Sequence, residues 1–224
     1  MNTRTLAVAG LRIAIEVPRE LPWNWPESPL RRFTGESDAA PDVCVAVRVG
    51  EPRPSEGALS YDSGGGIFDV VATPQIFEIT LRIRGVVQRV ARFDRDFREG
   101  EVVVSSDSFY ATECYYPLAY PLDEWIFFHR ILRERGVLLH ACAAEREGRA
   151  LVYCGRSGAG KSTTANLLRR HAGASVLSDD RIVLRAGSRR ILAYGTPWHG
   201  DAPLSENRAA EVLAVHWIEH ASRL

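Results

Sequence analysis

Residues 155–162 read Gly-Arg-Ser-Gly-Ala-Gly-Lys-Ser, and this stretch decides the fold prediction. It matches the pattern G-x-x-x-x-G-K-S/T at every fixed position. An apolar run, Ala150 to Cys154, precedes the glycines, and a segment with helical spacing, Ser162 to His171, follows them. Such glycines let successive main-chain N–H groups converge on an anion at the positive end of the following helix. The stretch therefore predicts the strand–loop–helix unit of an α/β fold with α+β character, built to hold a polyphosphate.

The composition of the chain adds a second signal at the same place. Lys161 is the only lysine among 28 basic side chains. A compact ammonium fits among phosphate oxygens where a planar guanidinium does not. We expect Lys161 to contact the β- and γ-phosphates of ATP, and the Ser162 hydroxyl to bind Mg²⁺. The predicted nucleotide-binding residues are Gly155, Arg156, Ser157, Gly158, Ala159, Gly160, Lys161, Ser162 and Thr163. The alternative is that the glycines form only a turn that caps a helix.

Two consecutive carboxylates, Asp179 and Asp180, follow a short predicted strand, Ser175 to Ser178. Only 18 positions separate Lys161 from Asp179, enough for one helix and one strand. We therefore expect this strand to lie next to the strand that precedes the glycine loop. Two adjacent acids suit two roles, one on a metal ion and one accepting a proton from an attacking hydroxyl. The alternative is an ordinary turn before a strand that starts at Arg181.

Three further residues are candidates for the site. His140 lies in an apolar run and is predicted either to orient a phosphate or move a proton, or to be a core histidine satisfied by the backbone. His199 and Asp201 belong to the segment Tyr194 to Asp201, which mixes aromatic, imidazole and carboxylate groups. That mixture suits a substrate or a nucleotide base, but it is also typical of a surface loop.

The chain divides by pattern into a β-rich region, residues 1–120, and a second region, 121–224. Alternation at Val43 to Val49 and at Phe77 to Arg84 predicts strands, with one sheet face exposed to water. The second region is predicted to start with a helix, Leu122 to Arg133. A β-hairpin, Val137 to Cys154, then leads into the glycine loop, and Val212 to Ile218 is expected to be a core strand.

Composition narrows the partners and the compartment. Basic and acidic side chains balance at 28 each, and no apolar run is long enough to cross a membrane, so we expect neither a nucleic acid nor a membrane as partner. The four cysteines, Cys44, Cys114, Cys142 and Cys154, are scattered without the spacing of a zinc site. We interpret them as buried, reduced thiols, which predicts a cytoplasmic protein.

These residues together resemble a known family. Gly136-Val137-Leu138, the hairpin, the glycine loop and Leu177-Ser178-Asp179-Asp180 are similar to the catalytic domain of HPr kinase/phosphorylase. The resemblance covers about residues 121–201 and implies a phosphoenolpyruvate-carboxykinase-like fold that phosphorylates serine hydroxyls with ATP and Mg²⁺. It further implies that Lys161 binds phosphates, that Ser162 and Asp180 serve Mg²⁺, that Asp179 is the base, and that the chain can form homo-oligomers.

The chain also departs from that family. Arg135 stands where HPr kinases have a histidine, and their acidic Arg-Gly-rich signature loop is absent. These departures count against phosphorylase activity and against HPr as substrate. The segments around His140 and from Tyr194 to Asp201 look more like divergent relatives that phosphorylate peptides, and the chain is expected to be truncated at its C-terminus relative to them. We expect transfer to a serine of a peptide or protein; an ATP-binding regulatory switch or weak ATPase, and a small-molecule kinase of the free-serine type, remain alternatives.

Overall fold

The computed structural model describes residues 2–19, 29–35, 39–57, 60–64, 67–107, 116–200, 202 and 204–219. The chain divides into two compact units. The first comprises Met1–Leu6, Arg12–Pro26 and Gly35–Arg130. The second comprises Ala7–Leu11, Glu27–Thr34 and Ile131–Leu224. Short segments from near the N-terminus therefore belong to the unit that is otherwise formed by Ile131–Leu224.

An eight-stranded sheet makes up most of the first unit. Its strands are β1 (Asn2–Val8), β2 (Leu11–Val17), β3 (Val43–Gly50), β4 (Tyr61–Asp62), β5 (Phe68–Ala72), β6 (Ile76–Ile83), β7 (Val86–Asp94) and β8 (Glu99–Ser105). They lie in the order β1-β2-β3-β8-β7-β6-β5-β4. Helix α1 (Leu122–Arg133) follows, with the bounds that the sequence predicts, and a 3-10 helix covers Pro29–Phe33.

The exposed sheet face predicted for the first unit is only partly present. Alternation in β3 buries Val43, Val45 and Val47, as predicted. In β6, however, the polar residues Glu78 and Thr80 are buried as well. The carboxylate of Glu78 accepts hydrogen bonds from the N–H and hydroxyl of Ser55 and from Nε of Arg92. These partners satisfy the charge, which is why a carboxylate can be buried there.

The second unit is built around a ring of strands that closes on itself. Its elements are β9 (Gly136–Arg146), β10 (Arg149–Gly155), α2 (Lys161–Ala172), β11 (Ser175–Ser178), β12 (Arg181–Ala186), β13 (Ile191–Tyr194) and β14 (Ala209–Ile218). The pairings run β9–β10–β14–β13–β12 and return to β9, while β11 pairs with β9. The narrow interior is filled mostly by small or branched side chains: Ala141, Ala143, Ala150, Val152, Leu177, Ile182, Ala193 and Ala210.

The prediction of an α/β fold is wrong. The described residues form fourteen strands and two α-helices, and the second unit is a five-stranded barrel with one helix. An α/β sheet needs parallel strands joined by helices, whereas β10–β14 is the only parallel pair described in this unit. The glycine motif predicts its own strand, loop and helix, and the hairpin of β9 and β10 leads into it as expected. It carries no information about the sheet around it.

The prediction that residues 212–218 form a core strand is also wrong. These residues belong to β14, but Leu213, Val215 and Trp217 are each more than half exposed. Strand β13 pairs only with the first three residues of β14. Within the described residues, the later part of β14 pairs with β10 alone and therefore has one open edge.

Gly195 should be intolerant of any side chain. A Cβ at this position would collide with the carbonyl oxygens of Glu206 and Leu177. We expect Gly195→Ala to lower the free energy of unfolding by about 3 kcal/mol, because main-chain atoms cannot move aside cheaply. Denaturant unfolding measures this change in the free energy of unfolding. Gly50→Ala is the control, because nothing lies within 4 Å of a Cβ at position 50. The control substitution should change the free energy of unfolding by no more than about 0.5 kcal/mol. Equal effects of the two substitutions would contradict the prediction.

Candidate active site

The glycine loop joins β10 to α2 in a conformation that its glycines make possible. Gly158 and Gly160 have φ values of 79° and 97°, in the left-handed region that side chains disfavour. A Cβ on Gly155 would lie 2.8 Å from the carbonyl oxygen of Ile218. Gly160, which precedes α2, has no side chain with which to cap the N-terminal N–H groups of that helix. The loop is therefore shaped to offer main-chain donors to an anion.

Lys161 is buried inside this loop. The residue is only 6% exposed. Its Nζ donates to the carbonyl oxygens of Gly155, at 3.0 Å, and Arg156, at 3.1 Å. An ammonium has three donors, so one remains for a ligand. Within the described part of the chain, no carboxylate forms an ion pair with Lys161. Because burying an unpaired cation is costly, the site favours an anionic ligand.

The two aspartates reach the site from the other side of β9. The prediction that their strand lies next to β10 is wrong, since β11 pairs with β9. Strand β9 thus lies between β11 and β10, with the main-chain N–H of Ala141 donating to the carbonyl oxygen of Asp180 at 3.0 Å. The pair occupies the turn between β11 and β12, the position that the alternative interpretation gave it. A single strand separates it from the strand that leads into the loop.

Asp179 is the more buried of the two, at 1% exposure. Oδ1 accepts the N–H of Gly200 at 3.1 Å, whereas Oδ2 is buried with no hydrogen-bond partner among the described residues. Burial raises the pKa of Asp179 above its usual value, and the neighbouring Asp180 adds to this, while the N–H groups of Gly200 and Ala202 oppose it. A buried carboxylate oxygen without a donor is rare and marks a place where a ligand can bring one.

Asp180 is more accessible and has two side-chain partners. Oδ1 lies 2.9 Å from Nε2 of His140, and Oδ2 accepts from Arg181 at 2.5 Å. The His140 side chain is 48% exposed, so the interpretation as a core histidine satisfied by backbone is wrong. In the middle of β9, His140 pairs with Arg181, the first residue of β12. The imidazole and the carboxylate therefore form a solvent-accessible pair.

Cys142 contacts the loop and lies near Asp179, and no pattern in the sequence distinguishes it. Its thiol donates to the carbonyl oxygen of Lys161 at 3.2 Å. Burial, followed by the charge of Asp179, raises the pKa of Cys142 to about 12, although the Lys161 ammonium opposes the shift. One thiol thus senses both charged groups, which indicates that Lys161 and Asp179 converge on the same part of β9.

The raised pKa makes Cys142 a specific test of this packing. At pH 8.5 we expect iodoacetamide to modify Cys142 roughly a thousandfold more slowly than an ordinary thiol, because so little thiolate is present. The rate should rise about tenfold per pH unit up to its pKa. Peptide mass mapping measures it, with Cys44 as an exposed control. Similar rates for the two cysteines in the folded protein would contradict the arrangement described here.

The structure also describes two further cysteines, Cys44 and Cys154, and one of the two loop candidates, His199. Cys44 is exposed, so the expectation that it is buried is wrong; Cys142, Cys44 and Cys154 are all free thiols, and Cys114 lies outside the described residues. His199 is exposed, with Nδ1 2.7 Å from the carbonyl oxygen of Gly200. Asp201 also lies outside the described residues.

Ser178 and Gly200 hold the aspartates in place, and sequence reasoning missed both. The Ser178 hydroxyl accepts the N–H groups of Asp180 and Arg181, at 3.4 and 3.3 Å. Gly200 packs so closely that a Cβ would lie 3.1 Å from Oδ2 of Asp179. A serine directly before the aspartates is a turn signal that could have been used; nothing in the sequence pairs Gly200 with Asp179.

Metal binding would depend on the first turn of α2 and on the aspartates. Ser162 lies in that turn, one residue after Lys161. Within the described residues, no group of three or more His, Cys, Asp or Glu side chains is placed to hold a metal ion. Mg²⁺ commonly takes one or two protein ligands together with phosphate oxygens. The donors Ser162 and Asp180 fit that mode, and Asp179, whose Oδ2 has no hydrogen-bond partner among the described residues, directly precedes Asp180.

Comparisons with known proteins add no assignment. No protein-family model matches the chain, and no curated protein matches its sequence. The described helices include none with the length and apolar character that a membrane crossing requires. The case for a function therefore depends on the geometry of the loop, of Lys161 and of the two aspartates.

Proposed function

We propose that the protein is an ATP-dependent kinase that transfers the γ-phosphoryl group to a serine hydroxyl of a peptide or protein. The observation that carries the proposal is the buried, unpaired ammonium of Lys161, which lies in a loop of left-handed glycines at the start of α2. The resemblance of this loop and of the tandem aspartates to HPr kinase catalytic domains supports the same proposal. We further propose a cytoplasmic location, in keeping with three free thiols.

The residues divide the work of phosphoryl transfer. Main-chain N–H groups of the loop and the Lys161 ammonium bind the phosphates and offset the charge that builds up on them. Oδ2 of Asp179 accepts the proton of the serine hydroxyl. At the same time the serine oxygen forms a bond to the γ-phosphorus, and the bond between that phosphorus and the β-phosphate oxygen breaks. The raised pKa of Asp179 makes it a stronger base than an exposed carboxylate.

Ser162 and Asp180 are the residues that would hold Mg²⁺. The ion, when bound, would neutralise charge on the phosphates. In the protein as described, Asp180 is held by His140 and Arg181. His140 therefore fixes the orientation of the Asp180 carboxylate, which is the role we assign to it in place of direct contact with the phosphate.

A second candidate, an ATP-binding switch with weak or no transfer activity, is favoured by the burial of Asp179. A base at 1% exposure is accessible to an acceptor hydroxyl only if the turn that covers it moves. The switch needs the loop and Lys161 but does not need Asp179 to contact a substrate. The two candidates therefore differ in what Asp179 does and agree on nucleotide binding.

The experiment that tests the proposal is label transfer from γ-labelled ATP with Mg²⁺ to serine-containing peptides and to free serine. Transfer to peptide serine, but not to the same peptide carrying alanine, supports the kinase. Transfer to free serine alone would favour a small-molecule kinase. ATP binding without any transfer would favour the switch, and absence of ATP binding would contradict both candidates.

A further inference from the structure

A cleft beside the glycine loop has no role in the function proposed so far. It has a volume of about 430 Å³ and is lined by Arg156, Ser157, Gly158, Ala159, Ile218 and Glu219. Four of these six residues belong to the loop, so a phosphate chain bound there would extend directly into the cleft. Ligand pockets commonly begin at about 300 Å³. The cleft is therefore large enough for the part of a ligand that follows its phosphates.

The lining of the cleft indicates what that part is. Ile218 supplies an apolar surface from the end of β14, and the exposed guanidinium of Arg156 can stack on an aromatic ring. Glu219 contributes a carboxylate, which accepts hydrogen bonds and donates none. Its Oε1 accepts the indole N–H of Trp217 at 2.8 Å, which leaves Oε2 available. A further phosphate would be repelled by Glu219, whereas neighbouring hydroxyl groups would bond to it.

We infer that this cleft is the nucleoside subsite, with the ribose hydroxyls donating to Glu219 and the base lying against Ile218 and Arg156. The inference rests on the proposed function, because it requires that the loop binds the phosphates of a nucleotide. It assigns Glu219 as a specificity-determining residue for a ribonucleoside. The end of β14 then discriminates between a nucleotide and an inorganic polyphosphate, while the loop binds both.

Calorimetry on the full chain with Mg²⁺ and three ligands tests the inference: ATP, 2′,3′-dideoxy-ATP and inorganic tripolyphosphate. We expect the wild-type protein to bind ATP at least tenfold more tightly than either of the others. Glu219→Gln should weaken ATP binding about tenfold, as expected for losing a hydrogen bond to a charged group, and should not weaken the binding of tripolyphosphate. ATP and dideoxy-ATP should then bind the variant almost equally.

The matched control is Glu211→Gln. Glu211 is an exposed carboxylate on the same strand, paired with Arg190 and not part of the cleft, so its removal should change no affinity. Equal binding of ATP and tripolyphosphate to the wild-type protein would overturn the inference and leave the loop assignment intact. An equal loss for both ligands in Glu219→Gln would also overturn it. Failure of all three ligands to bind would overturn the proposed function itself.

Discussion

Replacing Lys161 by alanine should lower the affinity for ATP by at least about a hundredfold, from the loss of a charge-assisted contact to phosphate. The effect should be large because the ammonium is buried, and the hydrogen bonds that it makes within the described residues go to loop carbonyl oxygens alone. The chain has no other lysine. Calorimetric titration with ATP and Mg²⁺ measures the change, and circular dichroism confirms that the variant is folded.

Two further substitutions separate charge from shape at this position. Lys161→Arg keeps the positive charge but brings a planar fork into a ring of main-chain atoms, so we expect it to restore little of the affinity. Arg169→Ala removes a cation from the exposed last turn of the same helix and should have no effect. Unchanged ATP affinity in Lys161→Ala would contradict the assignment of the loop as a phosphate site.

Replacing Asp179 by asparagine should have two opposite effects, a loss of transfer activity and a gain in stability at neutral pH. Removing a general base typically costs a factor of about 10² to 10⁴ in rate. Asparagine keeps an oxygen for the N–H of Gly200 but carries no charge. The stability gain follows because burial raises the pKa of Asp179, which means that the folded state disfavours its charged form.

The expected gain in stability of Asp179→Asn depends on pH. Folding raises the pKa of Asp179, so its carboxyl binds a proton more tightly in the folded protein. As the pH rises above 3.8, the usual pKa of an aspartate, ionisation of Asp179 therefore lowers the stability of the folded state. Asp179→Asn should therefore be more stable than wild type near pH 7, and the difference should vanish below that pKa. Unfolding curves at several pH values measure it.

Asp180→Asn is the natural control for the gain in stability. Its carboxylate is paired with His140 and Arg181, so the substitution removes favourable contacts and should not stabilise the protein. Full transfer activity in Asp179→Asn would contradict its role as base. Loss of transfer with no gain in stability would leave the base assignment standing but contradict the claim that the charge is costly in the folded state.

The sequence predicted elements better than their arrangement. Helix α1, the β9–β10 hairpin, α2 and β11 all occur where local pattern and turn residues placed them. The α/β fold and the pairing of β11 with β10 were wrong, because pairing partners depend on contacts between residues far apart in sequence. The apolar run from Val212 to Ile218 could not show that β13 ends early and leaves Leu213, Val215 and Trp217 exposed.

In the candidate site, too, features set by neighbouring residues were predictable and contacts between distant residues were not. The loop conformation follows from residues that are consecutive, so Gly158 and Gly160 adopt the left-handed conformations that their pattern suggests. His140 was harder to interpret, since its exposure and its contact with Asp180 depend on the register between β9 and β12. Cys142 carries no motif at all, and only the assembled ring brings it close enough to Lys161 and Asp179 for both charges to shift its pKa.

The solitary ε-amine also makes the loop chemically addressable. An acylating reagent directed at amines has one side chain to modify in this protein, the one at position 161, besides a free α-amino group. Since Lys161 is 6% exposed and its amine is hydrogen-bonded to two carbonyl oxygens, its acylation reports opening of the loop. The mass increase from this single acylation, measured with and without nucleotide, would report whether the loop is occupied and requires no engineered label.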